Sequence, residues 1–530
     1  MENTNISKVY LLSVPLESDY KHTLYFNSKE SQHEYFASKV VKSYTDFSYQ
    51  RKDNVIRVPE HFDNIYNANY VMYQNTKYGS KWFYAFVKDM KYVSDGRTDL
   101  TIETDVIQTW LFDYTLKPSF VEREHVTNDT AGVHILDEGL DTGEYICNSK
   151  VIDEQGNDLF IYMAVSDYAG KVIGDVKGNL VNGIYSGMEY HVYNTTTEAI
   201  TELNNEITSY DEASKADAIN SIFMAPAWLS GIPPVGENGE FKSAILGKTN
   251  VPKTYNTTFA KQTTLNNYEP RNKKLLCYPY NYVLATNNAG SSAIYKYERF
   301  SGSNCTFKVN GTVTPGGSIR MNPTNYNGVD VNNEEGLNAG KYPICCWNSD
   351  TYTNWLTQNS VNNALGVASG ALQIGAGLAM ALGTGGLGMA IGGGTVVGGV
   401  STIANVMAGK HQASLVPDQA RGNTNCGDVI TGAGENTFMF YKMSIKHEIA
   451  RILDGYFDMF GYKVNCVKIP SKAHRSRYWY TKTIDVNIDG NLPQADLQKI
   501  KDAYNQGITF WRNASEIQDY SLSNGIAIID

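Results

Sequence analysis

Three residue patterns in this chain invite a chemical reading, and each fails at one position. His447 and Glu448 open the run HEIAR, one residue away from the zinc-protease pattern in which two histidines four apart ligate the metal beside a glutamate base. The second ligand position holds Arg451, so the zinc site fails and these residues fit an exposed helix face. Gly247-Lys248-Thr249 resembles the end of a phosphate loop, but Lys242 stands where the loop's first glycine belongs, and a turn is the better reading. The stretch DVNIDGNLPQAD follows a calcium loop more closely, with Asp485, Asn487 and Asp489 at positions 1, 3 and 5, Gly490 at 6 and Asp496 at 12. Asp496 replaces the usual bidentate glutamate and the preceding residues look like a strand, so these four are a weak metal candidate against a strand that ends in a tight turn. No Ser/His/Asp or Cys/His arrangement stands out, so no catalytic residue, metal or cofactor is expected, and the chain is not expected to be an enzyme.

The totals point the same way. A formal charge of −10 and a pI near 5.5 argue against gripping nucleic acid, which needs clustered Lys and Arg on the phosphates, although DNA could slide past such a surface. The seven cysteines are odd in number and scattered, with no CxxC pair, so neither a disulfide framework nor a zinc cluster is signalled, and folding in a reducing cytoplasm is expected. The first residues, MENTNISKVYLLSVPLESDY, carry only a short apolar patch broken by Pro15 and no cationic start, so a secretory signal is not expected. At 530 residues two to four domains are expected, and 37 tyrosines suit half-buried strands and subunit contacts.

The elements read mainly as strands. From residue 5 to about 125 the pattern alternates with period two, and NVIRVP, NYVMYQN, KWFYAFVKDMKYVSD and LTIETDVIQTW predict an antiparallel sheet. Ser28 to Lys39 is the one helical interruption there, with Ser28 as N-cap and Glu30 in the first turn. Residues 126 to 350 mix strands such as DLFIYMAVSD with a helical stretch near 197 to 222, then return to turn-rich β sequence in GSNCTFKVNGTVTPGGSIRMN. Further on, Ile445, Ile449, Ile452, Leu453, Tyr456, Phe457 and Phe460 fall at spacings of 0, 4, 7, 8, 11, 12 and 15, an amphipathic helix stopped by Gly461. YKVNCVKI, RYWYTKT and DVNI follow as strands, then a helix near 494 to 506 introduced by Pro493. The expected fold class is mainly β, a β-rich α+β chain of antiparallel sheets.

One segment departs from all of this. Between Asp350 and Lys410 there are 59 residues without a single Asp, Glu, Lys, Arg or His, in a chain that is 19% Asp, Glu, Lys and Arg. Two apolar arms flank a GTGG turn. The first carries Ala364, Leu365, Leu372, Ile374, Leu378, Met380 and Leu382; the second carries Leu387, Met389, Ile391, Val396, Val397, Val400, Ile403, Val406 and Met407. Each arm is about 20 residues, a rise of ~30 Å as a helix, which matches the hydrocarbon core of a bilayer. Small residues recur at four-residue spacing, as in Gly366 and Gly370, which supports close helix association in lipid. A buried core helix pair, a mobile linker and a permanent membrane anchor are the blander readings. Core helices carry a polar opposite face, which is absent here, and a mean hydropathy of −0.35 argues against a permanent anchor. Such a surface must be hidden in one state and exposed in another.

Several segments resemble the distal tail-tube, or tail-knob, proteins of the small short-tailed phages typified by the Bacillus phage with protein-primed DNA replication. They are YFNSKESQHEYFASK, IETDVIQTWLFDY, SFVEREHV, KLLCYPYNYVLATNNAGSSAIYKYE, SIKHEIARILDGYFDMFGYKVNCVKIP, RYWYTKT and GITFW, spread in the family's order over nearly the whole chain. The resemblance implies a β tube-wall domain over 1–125, a β-rich knob domain over 126–350, an apolar membrane-active insert over 351–410 and an α+β tube domain over 411–530. It also implies a homohexamer at the distal end of the virion tail, made in the host cytoplasm, with neighbouring tail-tube and tail-tip proteins as partners. Genomic DNA would pass through its lumen without specific binding. The apolar loops would plug that lumen, then leave it to open a channel in the host cytoplasmic membrane. The insert looks somewhat short for the family. A pore-forming toxin using the same hairpin is the alternative.

Overall fold

The computed structural model describes residues 7–45, 54–75, 79, 81–153, 158–166, 180–181, 184–185, 188–212, 219–233, 235–236, 239–247, 253–287, 291–313, 319–328, 336–338, 344–346, 438–471 and 475–527. Among the described residues are five α-helices: α1 Lys29–Ala37, α2 Val106–Trp110, α3 Thr197–Glu212, α4 His447–Phe460 and α5 Gln494–Gln506. Strands dominate the rest, and every pairing between them is antiparallel except that of His22–Leu24 with Ile508–Trp511. The chain folds into two compact units that interleave along the sequence. One takes Met1–Gly143, Asn267–Cys277 and Lys446–Asp530; the other takes Glu144–Asn266 and Tyr278–Ile445. The stretch 126–350 therefore contributes to both units.

In the first unit a six-stranded sheet runs in the order Val40–Tyr44, Ser7–Leu12, Tyr70–Asn75, Trp82–Ser94, Arg97–Thr104, Val55–Val58. Period-two alternation sends Val9, Leu11, Val71 and Leu100 to one core, and Leu12, Tyr70, Met72 and Phe86 to another that is closed by Phe36 of α1. Ser28 caps α1 as the sequence predicts: its hydroxyl accepts from Ser31 N at 3.1 Å while Ser31 Oγ accepts from Ser28 N. A five-stranded sheet runs in the order His22–Leu24, Ile508–Trp511, Tyr478–Ile484, Ser119–Glu124, Tyr462–Lys468. α5, preceded by Pro493 as expected, covers it with Ile500, Ala503 and Tyr504.

The second unit holds three larger sheets around one core. Four strands run Tyr145–Ile152, Met439–Ile445, Asn281–Thr286, Ser292–Lys296; five run Ser243–Gly247, Met188–Tyr193, Leu159–Ser166, Ile219–Pro226, Ile344–Cys346; four run Lys253–Ala260, Asn304–Gly311, Ile319–Pro323, Leu337–Asn338. Phe440, Val283, Tyr162, Phe223, Phe307 and Met321 meet in that core.

The structure corrects the sequence reading at four elements. LTIETDVIQTW is a strand only as far as Thr104; Asp105 then caps α2, accepting from Gln108 N at 3.0 Å. A short apolar run suits a buried helix turn as well as a strand, and here the cap decides. The helix near 197 to 222 ends at Glu212, and Ile219–Pro226 pairs as a strand with Leu159–Ser166. Ile445 closes the strand before α4, and Ile452 is 67% exposed, so the buried stripe of α4 is Ala450, Leu453, Asp454 and Phe457. In DVNI only Ile488 joins a strand, because Asp485 sits at φ +52 and breaks the extended run.

Gly461 ends α4 at φ +62, and an added Cβ would lie well inside van der Waals contact distance of the Glu124 carbonyl oxygen. Both the backbone angle and the backbone contact exclude a side chain. Gly461→Ala is expected to lower the free energy of unfolding by at least about 2 kcal/mol in urea titrations. A loss within about 0.5 kcal/mol would mean that the chain turns here without needing glycine.

Candidate functional site

The residues expected to enter a membrane, Ala364 through Met407, lie outside the described residues, as does Lys248-Thr249. What is described is where that segment leaves and returns. It leaves after Ile344–Cys346, which pairs with Ile219–Pro226 so that Cys346 faces Ser221 and Ile344 faces Phe223. It returns at Phe438, ahead of Met439–Ile445, which pairs along its length with Tyr145–Ile152 on one side and with Asn281–Thr286 on the other. Phe438 and Phe440 are buried in the same core. Both ends are thus tied by strand pairing within one unit. Among the described residues no helix is long and apolar enough to cross a membrane.

Of the four candidate metal residues, Asp489 and Asp496 have protein partners for their carboxylates. Asp489 pairs with Lys117 at 3.2 Å, Asp496 accepts from the Trp110 indole at 2.9 Å, and the Asn487 carbonyl accepts from Lys117 N. Asp485 occupies the turn. Among the described residues no group of three or more His, Cys, Asp and Glu side chains is placed to hold a metal ion. His447 pairs with its neighbour Glu448 at 3.2 Å, and Arg451 lies over the Tyr268 ring at 5.6 Å. A cavity of about 180 Å³ in the first unit is lined by Tyr25, Tyr114, Trp479, Tyr504 and Phe510, with no carboxylate or imidazole among its lining residues.

Sequence reasoning missed a buried polar network in the first unit. Asp454, fully buried on the apolar stripe of α4, accepts from Tyr268 Oη at 2.6 Å, Arg271 N at 2.7 Å, Asn272 N at 2.9 Å and Asn272 Nδ2 at 2.8 Å. One turn on, Asp458 accepts from Asn272 Nδ2 at 2.8 Å and pairs with Arg271 at 2.5 Å. Glu138, its side chain fully buried, pairs with both Arg123 and Lys274. The segment 267–277 is therefore held to α4 by charge-assisted bonds from Asp454 and Asp458. An acidic residue on an otherwise apolar helical stripe was the signal available in the sequence.

Two other buried groups have strongly displaced titrations. Burial pushes His125 down to about 3, so its ring is neutral; Nδ1 accepts from Tyr480 N at 2.7 Å and the Nε2 hydrogen is donated to the Asp458 carbonyl at 2.9 Å. Burial pushes Asp105 up to about 6, against hydrogen bonds from Gln108 N and Tyr70 that favour the charged form. Displaced pKa values mark reactive sites only when the groups face a substrate. These two are sealed among core side chains.

Residues 245–525, more than half of the chain, match the family described as Bacillus phage phi29, Tail knob protein gp9, C-terminal domain. The chain belongs to the phi29 tail-knob family. Residues 3–115 match the Caudoviral major tail protein N-terminus. The chain is 28% identical to the tail knob protein gp9 of Bacillus phage B103, over 97% of each chain, and 27% identical to that of Bacillus phage PZA, over 99% of each. The bacteriophage C1 tail knob protein, gp12, shares the fold at a TM-score of 0.64 and 16% identity, over 98% of this chain and 100% of that one. The tail-knob chain is a structural, β-rich component of the phage tail, part of the virion and not an enzyme.

Two outcomes follow from the buried carboxylates. Replacing Asp454 with alanine strands the amides of Arg271 and Asn272, and a loss of about 3 kcal/mol or more is expected in urea unfolding. Asp105 is raised from 3.8 in the unfolded chain to about 6, so its contribution is fully present below about pH 4 and is lost as the pH rises through about 6. Asp105→Asn keeps a capping oxygen without the charge. Its stability relative to the parent is expected to improve by about 3 kcal/mol between about pH 4 and about pH 7, at ~1.4 kcal/mol per pH unit. Parallel stability curves for the two proteins would contradict this.

Proposed function

We propose that this tail-knob protein assembles as a homohexameric ring at the distal end of the tail, forming the last stretch of conduit for the genome. Its uncharged inserts plug the lumen, and on release they enter the host cytoplasmic membrane as the lining of a channel. The observation that carries this reading is the 59-residue stretch without a charge, held between strands that belong to one compact unit. A segment of that composition cannot face water at length without aggregating, and two arms of about 20 apolar residues fit a bilayer's thickness. Anchored strands at both ends let the segment move while the unit that carries it stays folded. The acidic balance suits a conduit, because a negative wall offers DNA no resting place. Neighbouring tail-tube and tail-tip proteins would bind the ring, and nothing in the described residues favours a free pore-forming toxin.

Dye leakage from liposomes tests the membrane role. The intact protein is expected to release dye under at least one condition in a pH series, while a variant with residues 364–407 replaced by a short Gly/Ser linker releases none. If neither leaks although both form the same rings, the insert is only a plug, and penetration belongs to another virion protein. A monomeric mass for the intact protein at every concentration would remove the ring.

A further inference from the structure

Antiparallel sheets with one face in water alternate apolar and polar residues along each strand. The four-stranded sheet of the second unit does not. One face, with Phe440, Val283, Ala285 and Tyr295, lies in the core. On the other face the register sets Tyr441 beside Leu284 and Leu284 beside Ile294, then Met443 beside Tyr282 and Cys147. Ile294 is 46% exposed and Ile152, at the opposite edge, 38%. The charged side chains along these rows are Lys150 and Lys296, one on each edge strand, and no carboxylate stands among them. Thr286 and Ser292 complete this face at one end, so what it presents is an apolar stripe from Ile152 and Met443 to Ile294 between polar margins, a surface of the kind that another apolar surface covers.

The chain itself supplies a cover of matching chemistry. Residues 347–437 lie outside the described residues; they depart after Cys346 and return at Phe438, one residue before Met439–Ile445, the strand that carries Tyr441 and Met443 on this face. Between Met407 and Phe438 the chain has 30 residues. That is a reach of up to ~100 Å at ~3.3 Å per residue, ample to lay the uncharged arms across the sheet. A segment tethered at both ends to the unit it covers meets that face at high effective concentration, an advantage over any separate partner.

We propose that residues 364–407 dock on the Tyr441–Leu284–Ile294 face of their own chain before release. This rests on the reading that the insert plugs the lumen before release, and it names the face of the chain, turned to the lumen, against which the plug lies. Burying the insert there covers two uncharged apolar surfaces at once and leaves the lysines at the rim, Lys150 on one edge strand and Lys296, its ammonium 4.4 Å over the Tyr278 ring, on the other.

Cysteine labelling tests the docking independently of membranes. Cys147 on this face and Cys466 in the other unit are both exposed among the described residues, so a maleimide pulse followed by peptide mass spectrometry reads target and reference together and shows what the insert adds. In the intact protein Cys147 is expected to react about tenfold slower than Cys466, and in the 364–407 linker variant within about twofold of it. In case the linker variant folds poorly, Ile294→Lys in the full chain alters only an exposed edge and is expected to speed Cys147 labelling several-fold. Equal labelling of Cys147 and Cys466 in the intact protein would overturn the docking, while liposome leakage would still decide the membrane role. Protection of Cys147 that disappears on dilution would assign the cover to a second copy and overturn it equally. No effect of Ile294→Lys on a protected Cys147 would do the same.

Discussion

One buried carboxylate ties distant stretches of the first unit together. Asp454 lies on the inward stripe of α4 and receives four hydrogen bonds from Tyr268, Arg271 and Asn272. A lone carboxylate in that position would cost several kcal/mol, so the arrangement stands only because every lone pair is met. The segment it holds, 267–277, comes from the middle of the chain, while α4 comes from the last part. Glu138 with Arg123 and Lys274, and Asp458 with Arg271, repeat the same device. Apolar contacts tolerate sliding, whereas a carboxylate cradled by backbone amides fixes one register.

Tyrosine is the other half of this chemistry. Burial raises the phenols of Tyr70, Tyr268 and Tyr462 and keeps them protonated, and each donates to a carboxylate: Asp105, Asp454 and Asp129 respectively. A phenol brings a large apolar ring and a neutral donor to the same place, so a carboxylate can be buried without a second charge. This is one use found for the 37 tyrosines, alongside the aromatic packing of Trp479, Phe510 and Trp511.

The second unit answers a different demand. It takes the chain on both sides of the long uncharged segment into paired strands. Met439–Ile445 is bonded on both edges, with Phe440 in the core, so pulling on the insert loads a ladder of backbone hydrogen bonds in shear. The structural, non-catalytic identity of the family agrees with a molecule whose buried polar groups are spent on register and tethering.

Sequence alone determined whatever depends on local order. The alternation from residue 5 onward gave the strands, Ser28 gave the capped start of α1, Pro493 and Gly461 gave helix limits, and the gap in charge from 351 to 409 marked the segment that sets this chain apart. Runs quoted from distant parts of the chain were enough to suggest the tail-knob family. Only the tertiary structure decided which stretches share a unit, because 267–277 has no local feature that assigns it; its place follows from long-range bonds to Asp454. The same holds for the turn of 105–110 into a helix, where the cap on Asp105 is stabilised by Tyr70 from another strand. The apolar outer face around Tyr441 was equally hidden, since an alternating strand does not say which of its two faces is covered until its neighbours are in register.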